Sequence, residues 1–315
     1  MARARVLVGI LHVDEPSLPA AVASATLQED VEVVVEPIGP LPKWHAHRKL
    51  FATFSEHGGA YDVMVKLDAD MQMLHPRVFA AVAETLKRSR RVDHIILGVD
   101  DWLSGERIQG IQFWRGGVRW DAPPPQLFTD LGASDAREVF KMIDAPTPLV
   151  AHARNPSEAQ AMRYGAHRGL KTLVLRKVSR IDRLASFARF VAEHPTRPRP
   201  LALAAADRAL HDEASGRLLI DGDAPVPGEL VADLQRAAED VNILRDSVLE
   251  RLTSLRSPDA VPELQEQHSR SLRAAFSSRA GRVLRLHLDR SSTKSSARRK
   301  IFLDALDGPN GLGQF

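Results

Sequence analysis

YDVMVKLDAD, residues 61–70, is the stretch of this sequence that decides the predicted fold. It joins an apolar run to an Asp-X-Asp group, the pattern of a buried strand that ends in a polar loop. Two similar apolar runs precede it, at 5–13 and 31–39, and segments with a helical spacing of apolar residues separate the three runs. This β-α-β-α-β alternation predicts a parallel sheet of buried strands with right-handed crossovers.

Acidic residues lie where the three predicted strands end. Asp14 follows the first strand, Glu36 lies at the end of the second, and Asp68 and Asp70 end the third. Because ligands bind beyond the carboxyl ends of the strands in such sheets, we expect these side chains to face one site.

Asp68 and Asp70 are the predicted ligands of a divalent metal ion. Side chains at a strand end alternate, so one carboxylate can bind the ion directly and the other through water or a ribose. Mg²⁺ and Mn²⁺ prefer oxygen ligands and often bridge carboxylates to a substrate's phosphates. Acidic pairs at loop starts are also commonly solvated or cap helices, so the position after a buried strand gives this motif its weight.

The rest of the chain changes character at about residue 176. Before it, the pattern predicts a helix over 77–88, a hairpin around Ser104-Gly105 and a short helix near 135–143. After it, the pattern is helical, with segments near 180–194, 201–213 and 228–255. We therefore predict three parts: a catalytic domain over 1–175, a helical extension over 176–260, and a basic, partly flexible tail over 261–315.

The predicted helix 228–255 carries apolar residues close to a heptad spacing. Packing of this seam against the chain's own domain is the favoured interpretation, and a homodimer through it is the alternative. For residues 290–315 a flexible, solvated terminus is favoured.

Composition excludes several classes of protein. The 315 residues are 44% hydrophobic and 26% charged, which is typical of a globular protein with a buried core. The absence of cysteine excludes disulfides, thiolate nucleophiles and cysteine zinc sites. No apolar run is long enough for a transmembrane helix, and the run at 5–13 ends in Asp14-Glu15 without a cleavage site, so it favours a core strand over a signal peptide.

Positive charge is concentrated near the carboxyl terminus. The net charge is +3, and residues 270–300 contain ten Lys or Arg and a single acid. Such a tail raises nucleic-acid binding as an alternative function, but it lacks interleaved aromatics and a recognised motif, which weighs against it. Its apolar residues among arginines also suit an anionic membrane surface. We expect a cytoplasmic protein, or one held peripherally at the inner face of the membrane.

The run 5–76 resembles the nucleotide-binding half of family 2 and related GT-A glycosyltransferases. The matching features are the polar turn HVDEPSL (12–18), the acid Glu36 after the second strand, the basic helix segment HAHRK (45–49) and VKLDADM (65–71). The chain has His47-Arg48-Lys49 where the family often has Ala-Arg-Asn, and it lacks the family's Asp-Asp-Gly-Ser run. The resemblance extends through about half of the chain.

The resemblance implies a GT-A, Rossmann-like fold: a mixed, mainly parallel sheet flanked by helices, here with a helical carboxy-terminal region. It implies a nucleotide-diphosphate sugar donor, UDP-linked, bound through Mn²⁺ or Mg²⁺. The residues implied in nucleoside and diphosphate binding are Val13, Asp14, Glu15, Glu36, Arg48, Lys49, Lys66 and Asp68.

His152 is the predicted third metal ligand. Many enzymes with this resemblance complete the metal shell with a His far downstream, and His152 ends the apolar segment PLVAH just before a predicted helix. A structural His is the competing interpretation. His75 is a weaker rival, because His-Pro more naturally forms a turn.

A catalytic base is needed only if the transfer inverts configuration, and the sequence leaves that open. Asp130 has the best placement in the chain, and Asp135 is expected to cap the following helix. Asp101, beside Asp100 in the predicted hairpin, is the rival base, although a turn role is favoured for this pair. Trp114 and Trp120 could form a platform for an acceptor sugar, and core packing is favoured for both.

The sequence therefore predicts a metal-dependent glycosyltransferase that moves a sugar to a saccharide or lipid-linked acceptor, such as a cell-surface polysaccharide or glycolipid. A sugar nucleotidyltransferase is a further candidate. It is disfavoured because HVDEPSL (12–18) has no glycine for the Gly-rich loop usual in that class.

Overall fold

The computed structural model describes residues 2–13, 15–120, 134–221, 226–256 and 292–308. These residues form two compact units. Unit 1 contains the described residues up to 101, those from 106 to 154, and 292–308, whereas unit 2 contains 102–105 and the described residues from 155 to 256. The predicted domain boundaries at 175 and 260 stay a prediction.

All the described strands belong to unit 1. They are β1 (Ala4–Leu11), β2 (Val31–Ile38), β3 (Val63–Asp68), β4 (Met71–Met73), β5 (His94–Asp101), β6 (Arg107–Arg115), β7 (Val139–Met142) and β8 (Val150–His152). The described helices are α1 (Leu18–Thr26), α2 (Lys43–His57), α3 (Val78–Arg88), α4 (Glu158–Leu175), α5 (Val178–Glu193), α6 (Arg199–His211), α7 (Glu213–Asp221), α8 (Gly228–Ala237), α9 (Val241–Arg256) and α10 (Ser292–Asp307). Of these helices, α4 to α9 belong to unit 2. Within the described ranges, no helix is both long and apolar enough to cross a membrane.

The strands form one mixed sheet in the order β2-β1-β3-β6-β5-β8-β4, with β7 also paired to β5. The first three strands are parallel, as the alternation predicts, and β6 is antiparallel to both of its neighbours. The fold is therefore mixed α/β, and its finer assignment to the GT-A class stays a prediction.

Strand β2 corrects the prediction that 31–39 is buried. It lies at the edge of the sheet and pairs with β1, and Glu32, Val34 and Pro37 are exposed along it. A strand covered on one face alternates in burial, whereas an apolar run without alternation predicts cover on both faces. The β-branched run therefore predicts the strand correctly, but the predicted burial on both faces is wrong.

The predicted helix near 135–143 is also wrong. Residues Val139–Met142 form β7, which runs parallel to β5 with Val139 opposite His94. Their burial alternates, with Phe140 and Met142 inside, which is the period of a strand. Asp135 consequently caps no helix, and its carboxylate instead accepts the backbone N–H of Arg119 at 2.9 Å.

Each face of the sheet has its own apolar core, because successive side chains of a strand point to opposite faces. Val6, Val8 and Ile10 of β1 belong to the core that also contains residues of α1, α3 and α10. Leu7 and Leu11 belong to the core that contains residues of α2.

Trp114 and Trp120 lie at the α2 side of the sheet. Trp114 is buried, as favoured from the sequence, and its ring is 5.6 Å from that of Trp120. Trp120 is partly buried and stacks on Phe51 at 5.8 Å between ring centroids. Both tryptophans therefore have intramolecular packing partners.

Asp93 is a buried acid at the amino-terminal end of β5. The Nε atoms of Arg115 and Arg137 lie 3.0 Å and 2.6 Å from its two carboxylate oxygens. Burial alone would raise the pKa of Asp93, but hydrogen bonds from Arg137 and Arg115 outweigh burial and hold it below its usual value. Arg115 also donates to the carbonyls of Ser89 and Val92, so this group ties the end of α3 to the sheet.

The carboxy-terminal helix α10 corrects, over residues 292–308, the prediction of a flexible terminus for 290–315; the other residues of that range lie outside the described residues. Phe302 and Leu306 are buried in the core that contains α3. The guanidinium of Arg298 donates to Glu138 at 2.6 Å, and that of Arg299 donates to the carbonyl of Asp144 at 2.6 Å. Apolar residues on one side of a basic helix thus bind this segment to unit 1. Residues 257–291, with most of the predicted membrane surface 270–300, lie outside the described residues.

In unit 2, the predicted helix 228–255 is two helices, α8 and α9. Of the eight seam residues, Ala237 is exposed and Val241 is partly buried. The other six are buried within the chain: Leu230, Leu234, Leu244, Val248, Leu252 and Leu255. The favoured interpretation, packing against the chain itself, is confirmed, and a homodimer through this seam has no support.

Helices α4 and α6 of unit 2 approach closely at Gly165. A Cβ atom at Gly165 would lie 1.7 Å from the carbonyl oxygen of Ala202, which is backbone and cannot move aside cheaply. We expect Gly165→Ala to lower the free energy of unfolding by about 3 kcal/mol or more, despite the better helix propensity of alanine. Chemical denaturation measures this loss. Gly228→Ala is the control, because no described atom lies within 4 Å of its added Cβ; equal stability of the two variants would contradict the close approach.

His94 makes unit 1 sensitive to acid. Burial lowers its pKa to about 3, and its ring stacks on Trp114 at 4.7 Å. Because the unfolded chain takes up this proton near pH 6.5, the stabilisation is complete above that pH and is lost as the pH falls from 6.5 towards 3.

We expect His94→Phe to reduce the loss of unfolding free energy between pH 7 and pH 5 by about 2 kcal/mol, since phenylalanine keeps the ring but binds no proton. Denaturant titrations at both pH values measure the difference. The exposed His45 provides the control His45→Phe. An unchanged pH dependence in His94→Phe would show that His94 is not the group responsible.

Candidate metal and nucleotide site

Strand β8 brings the residues of the candidate site together. It is antiparallel to β4, with His152 opposite Met71, and parallel to the end of β5, with His152 opposite Asp101. The backbone N–H of Ala153 donates to the carbonyl of Asp70 at 2.9 Å. These pairings place Asp70, His152 and Asp101 side by side, although about eighty positions separate the first two in the chain.

The imidazole of His152 lies between two carboxylates. Its Nδ1 is 2.9 Å from Oδ1 of Asp101, and its Nε2 is 3.3 Å from Oδ2 of Asp70. Burial alone would lower the pKa of His152, but the charge of Asp70 and the hydrogen bonds to both acids outweigh burial and raise it well above 6.5. Because the Asp101 side chain is 0% exposed, it holds the ring from inside the fold and directs Nε2 towards Asp70.

Asp68 has a different partner. The ammonium of Lys66 lies 2.9 Å and 3.1 Å from its two carboxylate oxygens, and Lys66 is only 5% exposed. Lys66 pairs with Gly9 on one side and with Gln112 on the other. It shares the α2 side of the sheet with Asp68, because the two residues are two positions apart on one strand.

The donor set at Asp70 and His152 suits a divalent ion only in part. Oδ1 of Asp70 is buried and has no hydrogen-bond partner among the described residues, which is costly unless something binds it. The neighbouring Nε2 of His152 can coordinate an ion once it gives up its proton, with Asp101 fixing the other ring nitrogen. The described side chains nevertheless do not gather three or more His, Asp or Glu donors in an arrangement that could hold a metal. The residues therefore fit an ion that receives its remaining oxygens from a ligand.

The residues predicted at the nucleoside are partly described. Glu15 accepts the backbone N–H of Val13 at 2.6 Å, so its carboxylate shapes the turn after β1. Asp14 lies outside the described residues. Glu36 is half-buried two residues before the end of β2 and pairs with Gly9, which in turn pairs with Lys66. The register thus places Glu36 and Lys66 in one row across the sheet.

Arg48 and Lys49 are exposed on α2. The Arg48 guanidinium lies over the ring of Trp44 at 5.7 Å. Their role at the diphosphate stays a prediction.

Of the candidate catalytic bases, the structure describes Asp100 and Asp101 but not Asp130. Asp130 lies outside the described residues. Asp100 and Asp101 end strand β5 and are not turn residues, which corrects the favoured turn role. Asp100 is bound by Arg107 at 2.6 Å, and Asp101 by His152. Sequence reasoning missed the contact between Asp101 and His152, and only the pairing of β5 with β8 reveals it.

His75 and the described part of the basic tail both make contacts away from Asp70. Nδ1 of His75 accepts the backbone N–H of Arg77 at 3.2 Å, which agrees with a turn role. In α10, the described side chains of Arg298, Arg299 and Lys300 bond to Glu138, the Asp144 carbonyl and Asp304 within unit 1. Nucleic-acid binding thus gains no support from the described part of the tail.

Comparison with known proteins adds little to this geometry. No family model matches the chain, and no curated protein matches it. Among solved structures it is similar to A197 from STIV, with 16% identity, a TM-score of 0.27, and coverage of 35% of this chain and 64% of that chain. It is also similar to the mannosyltransferase PcManGT from Pyrobaculum calidifontis in complex with GDP-Man and Mn²⁺, with 12% identity, a TM-score of 0.33, and coverage of 96% and 86%. At such TM-scores these similarities carry no argument about function.

The role of Asp101 can be measured through its neighbour. We expect Asp101→Asn to lower the pKa of His152, because the variant removes one of the two charges that offset burial. Nitrogen NMR of the imidazole gives this pKa directly. Asp100→Asn is the matched control, since Asp100 pairs with Arg107. A pKa of His152 that stays the same in Asp101→Asn would contradict the assigned contact.

Proposed function

We propose that this protein is a metal-dependent glycosyltransferase that binds a nucleotide-diphosphate sugar at the carboxyl edge of β1, β3 and β5. The observation that carries the proposal is the buried, unpartnered oxygen of Asp70 beside an imidazole oriented by Asp101. An acid with an unsatisfied oxygen and a fixed imidazole are suitable donors for Mn²⁺ or Mg²⁺.

The proposed roles follow from the contacts. Asp70 and His152 hold the ion, and Asp68 joins them directly or through the ribose. When bound, the ion would act as a Lewis acid on the departing diphosphate. Asp101 is proposed as a positioning residue for His152, because its complete burial suits orientation of the ring better than contact with an acceptor.

The donor and acceptor assignments rest on the family resemblance together with this register. Glu36 and the Val13-Asp14-Glu15 turn are proposed to contact the nucleoside, with uracil as the base, and Lys66 to neutralise the diphosphate. Arg48 and Lys49 remain candidates for the diphosphate. Asp130 is the proposed base if the transfer inverts configuration. The acceptor is proposed to be a saccharide or a lipid-linked sugar.

Ligand-induced thermal stabilisation tests the proposal. We expect one nucleoside diphosphate from a panel of UDP, GDP, ADP and CDP to raise the Tm only when Mn²⁺ is present. Saturation at a hundred times Kd corresponds to about 2.7 kcal/mol, or a shift of about 5–10 °C for a unit of this size. Asp70→Asn should remove the shift, because it removes the charge that binds the ion.

Glu56→Gln is the control, since it neutralises an exposed acid on α2 outside the site. The proposal fails if no nucleoside diphosphate stabilises the protein in a metal-dependent manner. It also fails if Asp70→Asn responds like the wild type. Release of the same nucleoside diphosphate from its sugar nucleotides would then identify the donor sugar.

A further inference from the structure

The turn between β5 and β6, residues 102–105, belongs to unit 2, although the two strands that it connects belong to unit 1. Turns usually lie on the protein surface, but Leu103 and Ser104 are each only 1% exposed. The turn begins directly after Asp101, the residue that binds His152. The contacts that hold this turn therefore also limit the positions that the end of β5 can take.

Arg199 of α6 holds the turn through the backbone of Trp102. Its Nη2 and Nε donate to the Trp102 carbonyl oxygen at 2.9 Å and 3.2 Å, and its Nη1 donates to the carbonyl of His194 at 3.3 Å. The Cζ atom of the guanidinium lies 4.1 Å from the ring centroid of Trp102 and 4.6 Å from that of Phe190. A planar guanidinium donates in its plane and stacks on rings with its faces, so Arg199 fixes both the carbonyl and the side chain of Trp102.

Gly105 ends the turn against the same ring of Phe190. Its φ is +65°, a left-handed conformation that glycine adopts without strain. A Cβ atom at this position would lie 2.3 Å from the Phe190 ring. Side chains of unit 2 thus contact the turn at both ends.

The end of β5 connects this turn to the candidate site. Trp102 follows Asp101 directly, and the backbone N–H of Asp101 donates to the carbonyl of Glu106 at 3.0 Å. The Asp101 carboxylate binds Nδ1 of His152 at 2.9 Å. We propose that Arg199 is a positioning residue: by holding the turn, it fixes Asp101 and thereby orients the His152 imidazole. The inference rests on the proposed function for the role of His152, and it adds a residue of α6 to those that determine the orientation of this imidazole.

The proton on Nδ1 of His152 reports whether the contact is held. A hydrogen bond to a fully buried carboxylate shields this proton from solvent, so its exchange rate, measured by NMR, shows how often the contact opens. We expect Arg199→Lys to accelerate this exchange about tenfold, because lysine keeps the charge but cannot donate two bonds to one carbonyl from a planar group. The measurement requires neither a metal ion nor a nucleotide.

Arg251→Lys is the matched control. The Nε atom of Arg251 also donates to a backbone carbonyl of unit 2, that of Leu210 at 3.2 Å, and not to the turn. Exchange of the backbone amides of β1 is the internal reference and should be the same in both variants. If Arg199→Lys is poorly folded, Phe190→Leu provides a second test. It removes one of the rings on which the guanidinium stacks and should accelerate the exchange about threefold.

The outcomes separate the two proposals. Equal exchange of the His152 proton in Arg199→Lys, Arg251→Lys and wild type overturns the positioning role and leaves the proposed function standing. Equal acceleration in the two lysine variants also overturns it, because the effect would then follow general stability. Unchanged exchange in Phe190→Leu has the same consequence. Acceleration in Arg199→Lys alone supports the positioning role, and it does so even if no nucleoside diphosphate stabilises the wild type with Mn²⁺, a result that overturns only the proposed function.

Discussion

The pairing of β8 between β4 and β5 is the constraint on which the candidate site depends. The three residues of β8 pair through the backbone with β4 and β5, and this pairing places His152 opposite both Met71 and Asp101. The bond from Ala153 N–H to the Asp70 carbonyl fixes the loop that follows β3. Side chains on rigid strands hold a defined geometry better than side chains on loops, so this short strand makes the site definite.

Two acids of unit 1, at opposite ends of the sheet, each pair with a nearby cation. At one end of the sheet Asp93 binds Arg115 and Arg137, and at the other end Lys66 binds Asp68. The arginine pair ties α3 to the sheet and has a structural role. The lysine pair lies at the carboxyl edge of the strands, where a ligand with its own negative charge can compete for the ammonium. The same electrostatic requirement thus serves stability in one place and is proposed to serve binding in the other.

Part of the fold follows from local patterns. Apolar runs and helical spacings between 5 and 70 predict β1 to β3 and the two helices between them, because side-chain periodicity is a local property. The same patterns give wrong predictions where burial depends on neighbouring segments. The strand β2 lies at the edge of the sheet and is not buried on both faces, β7 is a strand and not a helix, and α10 packs into an apolar core and is not a flexible terminus. In each case the environment is set by segments distant in the chain, which local periodicity does not encode.

The sequence by itself determined the acidic group Asp68-Ala69-Asp70 at the end of a strand, because a buried apolar run and the polar residues after it are adjacent in the chain. It also singled out His152 as a candidate ligand. Only the tertiary structure decided that Asp101 holds His152 and that Lys66 holds Asp68. The physical reason is that these contacts depend on strand order and register and on how side chains are enclosed, and such properties arise when distant segments pair.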